Sequence, residues 1–389
     1  MSLKNFAVYS VFIFAGFTGV FRYGDWFPLY QYGVLIAFLF SWTSHWSLNR
    51  EEYPLLICFF LLIFTASLNF NNKSLNYITA YFYTFFILYK NLDNISRMIS
   101  LNKLLKFNSL GIFISSFYSC IEFLTKISLN IKIQDYLPRV KEATATYMTG
   151  VDRSYGFATE PTSLAIYLNI LGPFAVLYWK NNLSRFNYRL FTLVLVLGWI
   201  FTFSASAVLF LGISVIGVLT YVYRLRITTM ILRNKKIVGS LLMIIGYGIT
   251  SGFLNKIIGK IFLTGGGTSA TQRSMVYELA INRFFENPIT GIGLGYTSSV
   301  NEMSPINWYL TILSNGGIFA FLFILIYMVL TVKKSLQVRK TFSLLPAIGI
   351  SAGTLGFLTT STFYNPFFWL AVILLNRMSQ IHDKNTRRI

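Results

Sequence analysis

Apolar residues run along this chain in twelve blocks, at about 6–21, 27–46, 53–70, 74–90, 107–125, 161–179, 189–203, 204–223, 237–254, 307–331, 342–360 and 364–377. Most come near the roughly 20 residues that a helix needs to cross hydrocarbon about 30 Å thick. The pattern therefore predicts an all-α, polytopic membrane protein with about twelve transmembrane helices, a single integral membrane domain over residues 1–389. The seventh and eighth blocks run together. We divide them at Phe203-Ser204-Ala205-Ser206, because about 35 residues is too long for one span. The first block is read as an uncleaved span, since no small-residue cleavage site follows it.

Polar residues collect in two long intervals, 126–160 and 255–306, while the other connections are short. In the second interval Gly265-Gly266-Gly267, flanked by Thr264 and Thr268, reads as a hinge. After it, 272–286 has helical periodicity. Met275, Val276, Leu279 and Ala280 share one face, and Glu278, Asn282 and Glu286 share another. Asn287-Pro288 stops this helix. Its amphipathic pattern predicts a helix lying in the membrane–water interface.

Composition supports this reading. Of 389 residues, 54% are hydrophobic and 18% aromatic, and only 12% are charged, about half the usual share of soluble domains. Mean hydropathy is +0.58. These values exclude a soluble globular enzyme, a disordered chain and a disulfide scaffold. The net charge of +20 is explained by topology before nucleic acid. Two thirds of the 33 lysines and arginines fall in alternate connections, beginning with Lys4 and Arg50 and ending with Arg387 and Arg388. The positive-inside rule makes those connections cytoplasmic. Both termini are then cytoplasmic, and the two long loops face the periplasm or cell exterior. Function concentrates on loops, so the active face is expected there.

The motifs that are missing narrow the chemistry. No DxD, HExxH or CxxC occurs. Cys58 and Cys120 sit in apolar runs, and His45 and His382 cannot build a histidine-rich metal site. Neither a metal nor another cofactor is expected. Gly291-Ile292-Gly293-Leu294-Gly295 follows a helix and a proline rather than a strand, so it reads as a tight turn and not a dinucleotide fingerprint. Span centres are nearly free of charge. Glu122, near the outer end of its span, and His45, near the inner end of its own, read as interface residues. That argues against an ion-coupled carrier but leaves a lipid flippase open.

Three stretches carry candidate chemistry. Asp152-Arg153-Ser154-Tyr155-Gly156-Phe157-Ala158-Thr159-Glu160-Pro161 lies where the first long loop re-enters the membrane. Pro161 suits a first helical turn, and Glu160 beside it sits in a favourable helix field. Arg153 and Glu160 can converge on one cavity, the plainer alternative being a solvated salt bridge at a helix end. The second stretch runs from Arg273 through Arg283 into Asn287-Pro288-x-x-Gly291-x-Gly293-x-Gly295. The third is Ile306-Asn307-Trp308-Tyr309-Leu310 followed by Asn315-Gly316-Gly317. An interfacial aromatic belt and close helix packing at glycine are the plain alternatives there.

Arg-x-x-Gly-Phe-x-x-Glu-Pro before a span, an arginine-bearing amphipathic helix ending Asn-Pro-x-x-Gly-x-Gly, and an Asn-x-Tyr-Leu span with Gly-Gly occur here in that order. Together they resemble the bacterial O-antigen polymerase (Wzy-type) and O-antigen ligase superfamily. The motifs cover about residues 150–320, and the topology resembles that family along the whole chain. The resemblance implies a C-type membrane glycosyltransferase of the inner membrane. Its donor would be an undecaprenyl-diphosphate-linked oligosaccharide on the periplasmic face. Membrane lipids, a chain-length regulator and a flippase of the same pathway are the implied partners, with no nucleic acid. Two departures matter. The ligase branch carries a histidine just before the Asn-x-Tyr-Leu segment, and this chain has none there. Where many members carry Ser-Arg at the start of a span, this chain has Ser204-Ala205-Ser206. The missing histidine favours polymerisation of repeat units over ligation to lipid A-core. An Arg-x10-Gly pattern seen in some polymerases runs once, from Arg139 to Gly150.

The residues suit that chemistry. A diphosphate is already a good leaving group, so a glycosidase-type general acid is not needed. Arginine forks match its oxygens and stay charged, stabilising the charge that develops on departure. Arg153 and Arg273 are the catalytic candidates for that role. Glu160 is the candidate base for the acceptor hydroxyl, the competing view being that it only positions Arg153. Arg283, Asn307, Tyr309, Glu278 and Arg139 are candidate substrate-binding residues. Among them, Glu278 lies on a face that looks solvated, and the amide of Asn307 cannot take a proton.

Overall fold

A computed structural model describes residues 3–21, 28–40, 48–138, 153–233, 268–300, 306–361 and 363–386. These residues form an all-helical bundle. The helices are α1 (Leu3–Phe14), α2 (Leu29–Leu39), α3 (Tyr53–Leu68), α4 (Ser74–Phe82), α5 (Asn91–Ser96), α6 (Leu101–Leu129), α7 (Pro161–Asn182), α8 (Arg185–Ile200), α9 (Ala205–Arg233), α10 (Thr268–Glu286), α11 (Trp308–Gln337), α12 (Leu345–Gly356) and α13 (Pro366–Thr386). Every predicted block holds a helix except 237–254, which lies outside the described residues. Among the described residues, five helices are long and apolar enough to cross a membrane: α3 with its preceding turn, α6, α7, α9 up to Arg224, and α11. Helices α1, α2 and α12 are apolar but shorter.

The chain is organised for an apolar surrounding. Large hydrophobic side chains such as Phe60, Phe64, Val208, Ile216, Phe319 and Val329 point outward. Polar groups such as Asn108, Ser115, Ser119 and Glu122 of α6 are buried. Water is absent from hydrocarbon, so polar side chains of a spanning helix turn toward protein partners. Helix α7 sits at the centre, packed by α6, α8, α9, α12 and α13, and most of its side chains are buried. A second set packs α11 on α3 and α10.

Several boundaries follow local signals. Helix α7 begins at Pro161 with Glu160 as its N-cap. Helices α8 and α9 part between Ile200 and Ala205, where Phe203 adopts φ 47°, at the division placed from the sequence. Helix α10 ends at Glu286, just before Asn287-Pro288. Other boundaries move. Helix α6 runs to Leu129 and ends on left-handed Asn130, so the first long connection starts later than residue 126. Helix α10 starts at Thr268, earlier than the expected 272. The fourth block does not stop at Lys90. It continues from α4 through a π-helical stretch, Tyr83–Lys90, into α5. Lys90 and Asp93, expected in an exposed connection, are therefore buried.

Candidate active site at the start of α7

The segment 153–160, just before α7, threads between the end of α6 and the gap between α8 and α9. That gap frees the last carbonyls of α8, which no longer have helical donors. Ser154 N donates to Phe201 O at 2.9 Å, and Arg153 Nε donates to Thr202 O at 2.9 Å. A cation at a helix C-terminus also meets the favourable end of the helix dipole. The α8–α9 gap thus serves as the socket of Arg153.

On the other side stands α6. Glu122 is 1% exposed, and its carboxylate is enclosed by donors from three consecutive residues. Ser154 Oγ donates at 3.0 Å, Tyr155 N reaches both oxygens at 3.2 Å, and Gly156 N donates at 2.8 Å. Gly156 has φ 56°, the left-handed region that side chains other than glycine's disfavour. A backbone that turns there directs successive N–H groups to one anion, forming a nest. Ser119 Oγ adds bonds to Ser154 Oγ at 2.8 Å and Gly198 O at 2.9 Å. Lys126, one turn beyond Glu122, donates to Arg153 O at 3.5 Å. A Cβ at Gly198 would stand 2.6 Å from Ser116 O, so glycine lets α8 approach α6 at this level.

The remainder of the segment is clamped by α1. Gly19 N donates to Phe157 O at 3.0 Å, and Thr159 N to Thr18 Oγ1 at 3.3 Å. The Phe157 ring stacks between Phe17 and Tyr118, with both centroids 4.2 Å away. The segment ends at Glu160, which is exposed and makes no side-chain cap bond to α7. Its side chain stands at the helix start where the sequence placed it.

The other candidates fall into different surroundings. Arg283 Nη1 pairs with Glu286 at 3.0 Å on α10, and its guanidinium lies 5.3 Å from the Tyr296 ring centroid. Glu278 is exposed on the same helix. Val276 and Ala280 are buried, whereas Met275, expected on their face, is exposed. Asn307 is buried as the N-cap of α11, its side chain accepting from Leu310 N at 3.1 Å. The Tyr309 hydroxyl donates to Thr354 O of α12 at 2.8 Å. Both therefore tie α11 in place. The side chain of Arg273, and Arg139 altogether, lie outside the described residues, as do Asp152, His45, Gly150 and the Gly265–Gly267 hinge. The glycine run is the tight turn expected of it. Gly291, Gly293 and Gly295 all have positive φ. Ile292 N and Gly293 N bond to Ser314 O and Asn315 O, beside the break in α11 at Gly317, φ 73°.

Sequence reasoning named Arg153 and Glu160 but read Glu122 as an interface residue. The structure corrects this: Glu122 is buried and accepts hydrogen bonds from Ser154, Tyr155 and Gly156 of that segment. A signal existed. Ser115, Ser119, Glu122 and Lys126 recur at helical spacing, a polar stripe on an apolar helix, and such a stripe faces protein rather than lipid. Among the described residues no group of three His, Cys, Asp or Glu could hold a metal ion. No protein-family model matches the chain, and no curated protein matches it.

Proposed function

We propose that this chain is a polysaccharide polymerase of the bacterial inner membrane. It would join undecaprenyl-diphosphate-linked repeat units of an O-antigen or capsule on the periplasmic face. In this reading the chain spans the bilayer about twelve times, both termini are cytoplasmic, and 126–160 and 255–306 belong to the active face. The observation that carries the reading is the immobilised segment 153–160. It fixes Arg153 beside the α8–α9 gap and ends in the exposed Glu160, the N-cap of the buried helix α7.

Catalysis would run as follows. Arg153, its guanidinium plane oriented by the Thr202 carbonyl, grips the donor diphosphate together with Arg273. The acceptor hydroxyl attacks the anomeric carbon, forming the new glycosidic C–O bond. The anomeric carbon–phosphate oxygen bond breaks, and polyprenyl diphosphate departs with the bonding pair. Glu160 takes the hydroxyl proton, and the arginines stabilise the charge on the leaving oxygen. The growing chain thereby moves from its carrier to a new lipid-linked unit.

Deleting the gene and examining surface polysaccharide tests this. A polymerase deletion leaves single repeat units on the surface. Polymer retained on the carrier lipid would instead identify a ligase, and the absence of both would identify a flippase.

A further inference from the structure

We propose that Glu122 is the positioning residue of the α7 mouth: its buried carboxylate organises the backbone of 154–156 and thereby sets Arg153 and Glu160 relative to each other. The inference rests on the polymerase reading only for what those two side chains then do. Glu122 itself is 1% exposed and sits behind the segment, so its action passes through Arg153 and Glu160.

Three features argue for positioning rather than general stabilisation. First, the donors come from consecutive residues of one non-helical stretch: Ser154 Oγ, Tyr155 N and Gly156 N. In a water-poor interior these groups need acceptors, and leaving one unmet is costly. Removing the carboxylate frees the segment, while α6 and α7 keep their own helical bonds. Second, the nest lies between the two candidate catalytic side chains. Ser154 adjoins Arg153, whose Nε is held by Thr202 O. Gly156 packs beneath the first turn of α7, where a Cβ would come 2.8 Å from Leu164 Cδ2, and Leu164 N bonds back to Glu160 O at 3.1 Å. Third, these donors meet both oxygens of a group that only accepts. Tyr155 N is shared by both, and Oε2 takes two further donors. A glutamine offers one oxygen and turns an NH2 group toward donors.

The test uses the full chain in lipid nanodiscs, with cysteine reporters in a C58A/C120A background. One reporter, T159C, lies on the segment; the other, I289C, lies on the exposed turn after α10. Alkylation rates are measured with and without E122Q, E122D or S154A, and polymer formation from lipid-linked repeat units is assayed in parallel. E122Q is expected to speed alkylation at residue 159 at least fivefold and to leave residue 289 within twofold. S154A, which removes a single donor, gives a smaller rise at 159, and E122D retains most of the protection. E122Q is also expected to lower polymer-forming kcat/KM at least 30-fold, with E122D partly restoring it. Unchanged alkylation at 159 in both E122Q and S154A overturns the proposal, and so does an equal rise at both reporters, the mark of general loosening. If E122Q does not accumulate, S154A decides alone by the same two criteria. The polymerase reading is judged separately. A wild-type protein that forms no polymer removes that reading, yet the reporter rates still decide whether Glu122 positions the segment.

Discussion

Two buried acidic sites, one ahead of α6 in the chain and one on it, are built in different ways. In the first, Glu52 and Asp93 are matched by side chains. Lys90 Nζ is 2.7 Å from Glu52 and 4.0 Å from Asp93, and Arg97 Nη2 is 2.9 Å from Asp93. Tyr89 OH donates to Glu52. Asn376 links Tyr89 and Asp93 to Lys334, and Lys334 pairs with Glu51 at 2.7 Å. Near the C-terminal end of α6, Glu122 accepts from backbone amides and a serine of one loop, with the buried Lys126 one turn along that helix. The first cluster joins finished helices to one another, namely the turn before α3, the π-helical stretch and α5, α11 and α13. The second gives shape to a segment that has no helix of its own. Cations set between helices fix how the bundle packs, whereas donors from a loop backbone fix where that loop's side chains point. A site on a loop needs the latter.

The largest expected effect of a single change falls on the first cluster. Lys90→Ala leaves the buried Glu52 without its cation, while Asp93 keeps Arg97, and breaking a buried pair in this way costs about 3–5 kcal/mol. Unfolding by denaturing detergent in mixed micelles should show that loss. Replacing both partners, Glu52→Leu with Lys90→Met, should cost less than either single change, because no uncompensated charge remains. A loss under about 1 kcal/mol for Lys90→Ala would mean that the two clusters do not differ as described.

Next comes the segment itself. Arg153→Ala should lower polymer formation by about 10²–10³-fold, the usual cost of one lost donor to a developing charge, with protein level unchanged. Arg153→Lys should recover little, since a point charge lacks the planar fork that meets both Thr202 O and a diphosphate. Glu160→Gln should cost about 10²-fold at the low end of general-base effects. Stability should hold, because this exposed side chain makes no cap bond. A base gives a rate that rises with pH through one ionisation, absent in the Gln variant. A modest loss with the same pH profile would make Glu160 a partner of Arg153 instead.

How much of this was legible follows from the range of each interaction. Pro161, the Phe203–Ser206 division and the Asn287-Pro288 stop are local signals, readable from a few neighbouring residues, and the helices obey them. Arg153 and Glu160 stand out as candidates because they lie in one short motif. The burial of Lys90 and Asp93 was missed because the apolar pattern fades at Lys90 while the helix goes on. Spacing of Lys90, Asp93 and Arg97 at three and four residues was the available hint. The Glu122 nest joins residues 32 to 34 apart in sequence. No periodicity specifies which loop a polar stripe will meet, so its partner became visible only in three dimensions.

The smallest effect is expected at Arg283, and it sharpens the comparison from outside both clusters. Its ion pair with Glu286 is partly exposed, and such pairs contribute about 0–1 kcal/mol. Its place near the Tyr296 ring adds about 0.5–1 kcal/mol at an exposed site. The ion pair is internal to α10 and the ring contact ties α10 to the turn that follows, far simpler duties than those of Arg153, which is held by a carbonyl freed in a helix gap. Arg283→Ala should therefore leave polymer formation within about threefold of wild type, since 1.4 kcal/mol is needed for a tenfold change, and Arg283→Lys should be indistinguishable from wild type. If Arg283→Ala instead abolished polymer while Arg153→Ala did not, the diphosphate would belong beside α10, and the anchored segment before α7 would be structural only. Polymer length on gels, measured for both variants at matched protein levels, separates the two arrangements.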